Sequence, residues 1–374
     1  MHLHGFMPFK EQRTLSSKFS REGEGFLDQL SFHLLITDLP SIFSGSQIGV
    51  IDPHEEYFGD RKERRTGHRW RLKEDREVMD SLPDQFLPYK GIFKCTDDVF
   101  SKGTYNGTLF RFPLRTAPSK LSQTLYSPEK VHTLFESFTA DAHLILLFLQ
   151  YLESIELYVR DVSDTEARRT FQVRITDDSL RVVREKREEF RSQITTGQLK
   201  PEPVRVTYPI TIETVAYDQG MNSDTQRHSF LVTNYFCGGN VSSEFENLAK
   251  DKDLSYLPLV GVAMPIPERA ENQTPNIKGH VFCFLPLPVQ KTSLTGLPVH
   301  VNGFFALNQN RRYIKTPNAE QEDLAEKEGR QLTDKSLLWN QCLLEEAIPM
   351  AYATMLMEAI NENSYNVEPD AIYK

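Results

Sequence analysis

Runs of period-two alternation and stretches of helical periodicity succeed one another along this chain in no strict order. A barrel needs regular alternation of strand and helix, so the pattern points to α+β or mixed α/β layers. The clearest strand signal opens at Asn106-Gly107, a pair that supplies the positive φ a tight turn demands. Thr108, Phe110, Phe112 and Leu114 then face one way, while Leu109, Arg111, Pro113 and Arg115 face the other. Pro113 cannot donate to a ladder, so the strand is expected at an edge or ending there. Earlier, Leu34-Leu35-Ile36 and Ile48-Gly49-Val50-Ile51 are β-prone on either side of the turn cluster Ser44-Gly45-Ser46. Residues 59–71 are dense in charge and read as a solvated loop.

Ser127 followed by Pro128 is a helix start, with Val131, Leu134, Phe135 and Phe138 forming one apolar face. Asp141 introduces a second helical run through Tyr151 that is apolar nearly all round and is expected to be buried. Strands are expected over 155–159, 171–175, 204–215, 230–234, 259–264, 281–285 and 299–307. Residues 180–190 read as a highly charged, exposed helix, and 316–335 as a polar loop. The final helix carries Leu337, Leu338, Cys342, Leu343 and Leu344 and is interrupted by Pro349.

At 374 residues the chain has room for two or three domains, and 24 Phe within a 39% hydrophobic composition suffice for a core. A net charge of −9 disfavours binding along a phosphate backbone, so no nucleic-acid partner is expected. The longest apolar run, 144–149, is far below the roughly 20 residues of a membrane span. Met1 to Phe6 shows no cationic stretch leading into an apolar one, and the four cysteines, Cys95, Cys237, Cys283 and Cys342, form no C-x-x-C pair. A cytoplasmic, reducing location is expected, without zinc or disulfides.

Few residues suggest chemistry by themselves. Asp52-Pro53-His54 with Glu55-Glu56 has metal-competent side chains, the basis of a metal-dependent hydrolase, but no second ligand group follows and Asp-Pro is an ordinary turn. Cys283 with His280 or His300 would make a thiolate–imidazole pair, yet its apolar neighbours describe an inert buried thiol. Gly23-Glu24-Gly25-Phe26 offers backbone amides to a phosphate, although Glu22 and Glu24 oppose one. Arg311-Arg312 suit an anion or a solvated turn. No Walker A sequence, complete G-x-G-x-x-G or G-x-S-x-G is present.

A set of blocks in order carries more. They are residues 36–45 (Ile-Thr-Asp-Leu-Pro-Ser-Ile-Phe-Ser-Gly), Ile51-Asp52-Pro53-His54, 106–115 (Asn-Gly-Thr-Leu-Phe-Arg-Phe-Pro-Leu-Arg) and Leu134-Phe135-Glu136-Ser137-Phe138. Residues 282–288, 295–305, Asn310-Arg311-Arg312 and Leu338-Trp339-Asn340 complete them. From about Leu35 to about Ile360 the chain resembles the large internal repeats of the sacsin family. That resemblance implies an ATPase domain of the gyrase, chaperone, histidine-kinase and mismatch-repair (GHKL, Bergerat) type, similar to heat shock protein 90, followed by a middle-like α/β domain. The implied layout is a divergent N-terminus over 1–33, the end of the ATPase domain over 34–118, a middle-like domain over 119–315, the loop 316–335, and a helix and tail over 336–374.

The family's acidic general base, metal-holding Asn and adenine-reading Asp match nothing here and are expected to precede residue 1, leaving part of a repeat. The resemblance implies nucleotide contacts at Gly23 and Gly25 of the lid, at Gly107 and Thr108 of the strand under adenine, and at Arg311 and Arg312. In the family the lid leads almost directly into the Ile-Thr-Asp block, whereas here Leu27 to Leu35 intervene. The expectation is therefore a chaperone or co-chaperone segment in protein quality control that does not itself turn over ATP, linked to heat shock protein 70, clients and the proteasome. Its alternative is an ATP- and Mg-binding ATPase with 23–26 as phosphate loop.

Overall fold

The computed structural model describes residues 36–55, 57–59, 64–194, 201–218, 221–254, 256–266, 278–287, 294–308, 313–316 and 334–361. Strands and helices are mixed, as the periodicities require, and the chain divides into two compact units. The first comprises Met1–Ala140, Ile155–Gln172 and Ala216–Ser223; the second comprises Asp141–Ser154, Val173–Val215 and Asp224–Lys374.

In the first unit, β1 (Ser41–Gly45) and β2 (Gln47–Ile51) form a hairpin. Gly45, at φ 56°, takes the left-handed position of the two-residue turn. Two further short strands, β3 (Phe58–Gly59) and β4 (Arg64–Arg65), precede β5 (Gly67–Arg71), and β6 (Tyr105–Arg111) completes the set. β5, β2, β1 and β6 make one antiparallel sheet in that order. Phe43 opposite Ile48 is fully buried with Trp70, Leu72, Tyr105 and Leu109.

Three expectations change here. Ile36 lies in a turn and the first described strand is Ser41–Gly45, because Ser41 and Phe43 are the residues that alternate into the interior. The charged stretch after residue 59 is not only loop: Trp70 anchors β5, while Arg69 and Arg71 on the same strand point to solvent. Asn106-Gly107 is not a turn before β6 but a bulge within it, since Ser44 pairs with Thr108 and Gly45 with Tyr105. The period-two alternation of β6 buries Tyr105 and Leu109, leaving Phe110 47% exposed. β6 ends before Phe112 and Pro113, as its proline requires.

Among the described residues, this unit's α-helices are α1 (Arg76–Ser81), α2 (Pro83–Phe86), α3 (Asp97–Lys102) and α4 (Pro128–Ala140). The Ser127 hydroxyl accepts the Lys130 amide at 3.4 Å, the expected cap of α4. No side chain of α4 is fully buried, and Leu134 is 53% exposed.

The larger sheet, most of whose residues belong to the second unit, contains β7 (Ser154–Val159), β8 (Arg168–Ile175), β9 (Val204–Asp218), β10 (Met221–Phe236), β11 (Leu259–Ile266), β12 (Val281–Cys283), β13 (Leu285–Pro286) and β14 (His300–Gly303). Their order is β13-β12-β14-β11-β10-β9-β8-β7, with β12 and β14 parallel. Among the described residues, the second unit's α-helices are α5 (Ala142–Ile145), α6 (Asp177–Gln193), α7 (Ser243–Lys250), α8 (Lys335–Cys342) and α9 (Ile348–Asn361).

The apolar run after Asp141 is buried as expected, but helix stops at Ile145. Arg187, 2% exposed on α6, donates to Leu146 O at 2.7 Å and Leu152 O at 3.3 Å. Arg191 donates to Gln150 O at 2.9 Å. These guanidinium groups take the carbonyls that a continuing helix would use, and Arg187, a charged residue of the helix expected to be exposed, becomes an internal tie. Val183 and Phe190 of α6 are buried as well. A π-helical turn over Leu343–Ala347 joins α8 to α9, absorbing Pro349, which lacks the amide for a regular turn.

Candidate functional site

Three of the sequence blocks converge in the first unit. Asp38 lies in the turn before β1, Asp52 and His54 directly follow β2, and Arg115 follows β6. Arg115, 4% exposed, holds Asp38 through Nε at 3.0 Å and Nη2 at 2.7 Å. Its other donors reach Thr37 O at 3.3 Å and Thr124 O at 3.2 Å, so its fork is committed within the protein. Ser119 donates to Asp38 Oδ1 at 2.8 Å, and His54 Nε2 stands 3.6 Å from the same oxygen. Burial pushes the Asp38 carboxyl up, but the bonds and charge of Arg115, with Ser119 and His54, outweigh it and hold the group below its usual value. Asp52, fully buried, accepts the Tyr57 amide at 2.6 Å.

The Arg115 guanidinium is spent on Asp38, Thr37 O and Thr124 O, so the arrangement clamps the ends of β1, β2 and β6. Among the described residues no three His, Cys, Asp or Glu side chains stand together as metal ligands, and Asp52 and His54 serve separate partners. The sequence reading named Asp52 and His54 but missed Asp38 with Arg115, whose 77-residue separation leaves no local signal.

Beside this clamp runs an apolar groove of about 500 Å³. Its lining includes Tyr89, then Leu109, Phe110 and Arg111 from β6, and Val131 and Phe135 from α4. Gly107 and Thr108 are not among its lining residues. Instead the Thr108 hydroxyl lies 2.8 Å from Ser44 Oγ, which also donates to Gly107 O at 3.4 Å. Gly23, Gly25, Arg311 and Arg312 lie outside the described residues.

In the second unit four histidines from four segments gather, although no sequence spacing links them. The His143 and His228 rings stack at 4.2 Å, and His280 and His300 are 5.6 Å apart. His300 Nδ1 accepts the His280 amide at 3.1 Å. Burial, helped by neighbouring imidazoles, pushes His143 down to about 4 and His300 down to about 3. Burial likewise raises the Cys283 thiol, whose Sγ donates to Phe305 O at 3.8 Å, so no thiolate–imidazole pair forms. Trp339 and Asn340, from the last sequence block, fasten α8 to the chain after β14: Trp339 Nε1 donates to Phe304 O at 2.7 Å, and the Asn340 amide is paired both ways with Ala306 at 2.8 Å.

Comparison with known proteins agrees with these blocks. The profile of the sacsin domain matches residues 10–172. Human sacsin is 38% identical over 389 aligned residues, which cover 99% of this chain but 8% of that much longer protein. Among the described residues no helix is long and apolar enough to cross a membrane. Residues 10–172 thus match the sacsin domain, and nearly the whole chain is similar to one part of human sacsin.

Proposed function

We propose that this chain is a chaperone or co-chaperone segment that works by binding polypeptides in cytosolic quality control, with heat shock protein 70, client proteins and the proteasome as the associated machinery. The observation that carries this reading is the apolar groove between β6 and α4, lined in part by the exposed Phe110. The similarity to sacsin supports it. On the same reading, 34–118 is the end of a GHKL-type nucleotide-binding domain and 119–315 a heat shock protein 90 middle-like domain, followed by the loop 316–335 and the helix and tail 336–374.

Added in excess to chemically denatured luciferase, the purified chain is expected to suppress light scattering without ATP. Unchanged aggregation at every ratio would refute polypeptide binding. ATP titrated calorimetrically into the chain is expected to give no binding heat, because no acid, Asn and Asp set for adenine and magnesium occurs in the sequence. A binding isotherm lost on Thr108→Val or Arg311→Ala would instead establish the rival reading, an ATP- and Mg-binding ATPase in which Gly23, Gly25, Gly107, Thr108, Arg311 and Arg312 touch nucleotide.

A further inference from the structure

Leu109, Phe110 and Arg111 are consecutive, and successive residues of a strand point to opposite faces of the sheet. A groove lined by all three therefore runs along the edge of β6 and not over one face. Among the described residues β6 pairs with β1 alone, so its other edge presents unpaired backbone donors and acceptors. The opposite wall, α4, brings Val131 and Phe135 to the groove and buries no side chain fully. Together these features provide a ladder, an apolar floor and a side wall.

Charge narrows what fits. Arg111 and His132 are the groove's lining side chains able to carry positive charge, and no carboxylate lines it, in a chain whose net charge is −9. Arg111 makes no ion pair among the described residues, in contrast to Arg115 four positions later. A half-buried guanidinium at an apolar edge calls for an acidic partner.

We infer that the β6 edge binds an extended, apolar polypeptide segment bearing an acidic side chain, which adds as a further strand to the four-stranded sheet. Backbone hydrogen bonds along the edge supply affinity, and the apolar lining of the groove takes the side chains that face it. The acidic group meets Arg111. This inference rests on the polypeptide-binding reading and specifies its site and mode.

Fluorescence anisotropy of the full chain with fluorescein-labelled Val-Thr-Val-Asp-Val-Thr-Val tests it. The peptide is expected to bind, to weaken about tenfold or more when Lys replaces its Asp, and to lose binding when alternate backbone nitrogens are methylated. Arg111→Glu is expected to reverse the preference between the Asp and Lys peptides, and Phe110→Glu to weaken both. Equal affinities for the Asp and Lys peptides, or full binding of the methylated one, overturn the inference using the unaltered chain alone. Suppression of luciferase aggregation without peptide binding overturns this site and leaves polypeptide binding standing; failure of both assays removes both.

Discussion

Lowering the pH from 7.5 to 5 is expected to shift the urea midpoint of the second unit steeply downward, and His300→Asn is expected to flatten that shift. His143 and His300 are held near 4 and 3 in the folded chain, against 6.5 for the free side chain. Below pH 6.5 the unfolded chain takes up these protons while the folded chain refuses them. Stability from both groups is therefore complete above 6.5 and is lost as pH falls towards 4 and 3. One unit of pKa corresponds to about 1.4 kcal/mol, so each group removes about 2 kcal/mol by pH 5. Asn at 300 keeps an acceptor for the His280 amide but cannot be protonated. The chain has two tryptophans, Trp70 in the first unit and Trp339 in the second, and Trp339 emission in a Trp70→Phe background isolates the relevant transition. A midpoint independent of pH between 7.5 and 5, or an equally steep fall in the Asn variant, would contradict this account of the histidine group.

Arg115→Ala is expected to destabilise the first unit by about 3 kcal/mol, the lower end for breaking a buried ion pair, because Asp38 retains 21% side-chain exposure. The loss has two sources: Asp38 keeps its charge without its main partner, and Thr37 O and Thr124 O lose their donors. Adding Asp38→Ala to the variant is expected to restore part of the loss, since the stranded carboxylate is then gone. Urea unfolding followed by Trp70 in a Trp339→Phe background measures both. A loss below 1 kcal/mol, or a double variant as unstable as the sum of its single changes, would mean that the clamp does not hold the strand ends together.

The two units were legible in the sequence to different depths. Strands such as β9, β10 and β11 announced themselves by dense apolar and β-branched residues, and the structure only lengthened or trimmed them. The cap at Ser127-Pro128 was equally local and is present. The apolar run after Asp141 misled as to helix because its carbonyls are taken by Arg187 and Arg191, some 40 residues away. Of the candidate nucleotide residues, Gly107 and Thr108 could be placed, and both belong to a bulge and a Ser44 bond beside the groove. The groove has one sign in the sequence, Phe110 and Phe112 at period-two spacing, which by itself specifies no more than one face of a strand.

By itself, the sequence determined the mixed α/β class, the positions of most regular elements and the similarity to sacsin, because those rest on periodicity and on blocks in order along the chain. Tertiary structure decided which face of β6 is buried, that Arg187 is internal, that Asp38 meets Arg115, and that four scattered histidines share one place. A residue's neighbours along the chain govern φ, ψ and side-chain alternation, whereas burial and ion pairing depend on groups brought together only when distant segments pack.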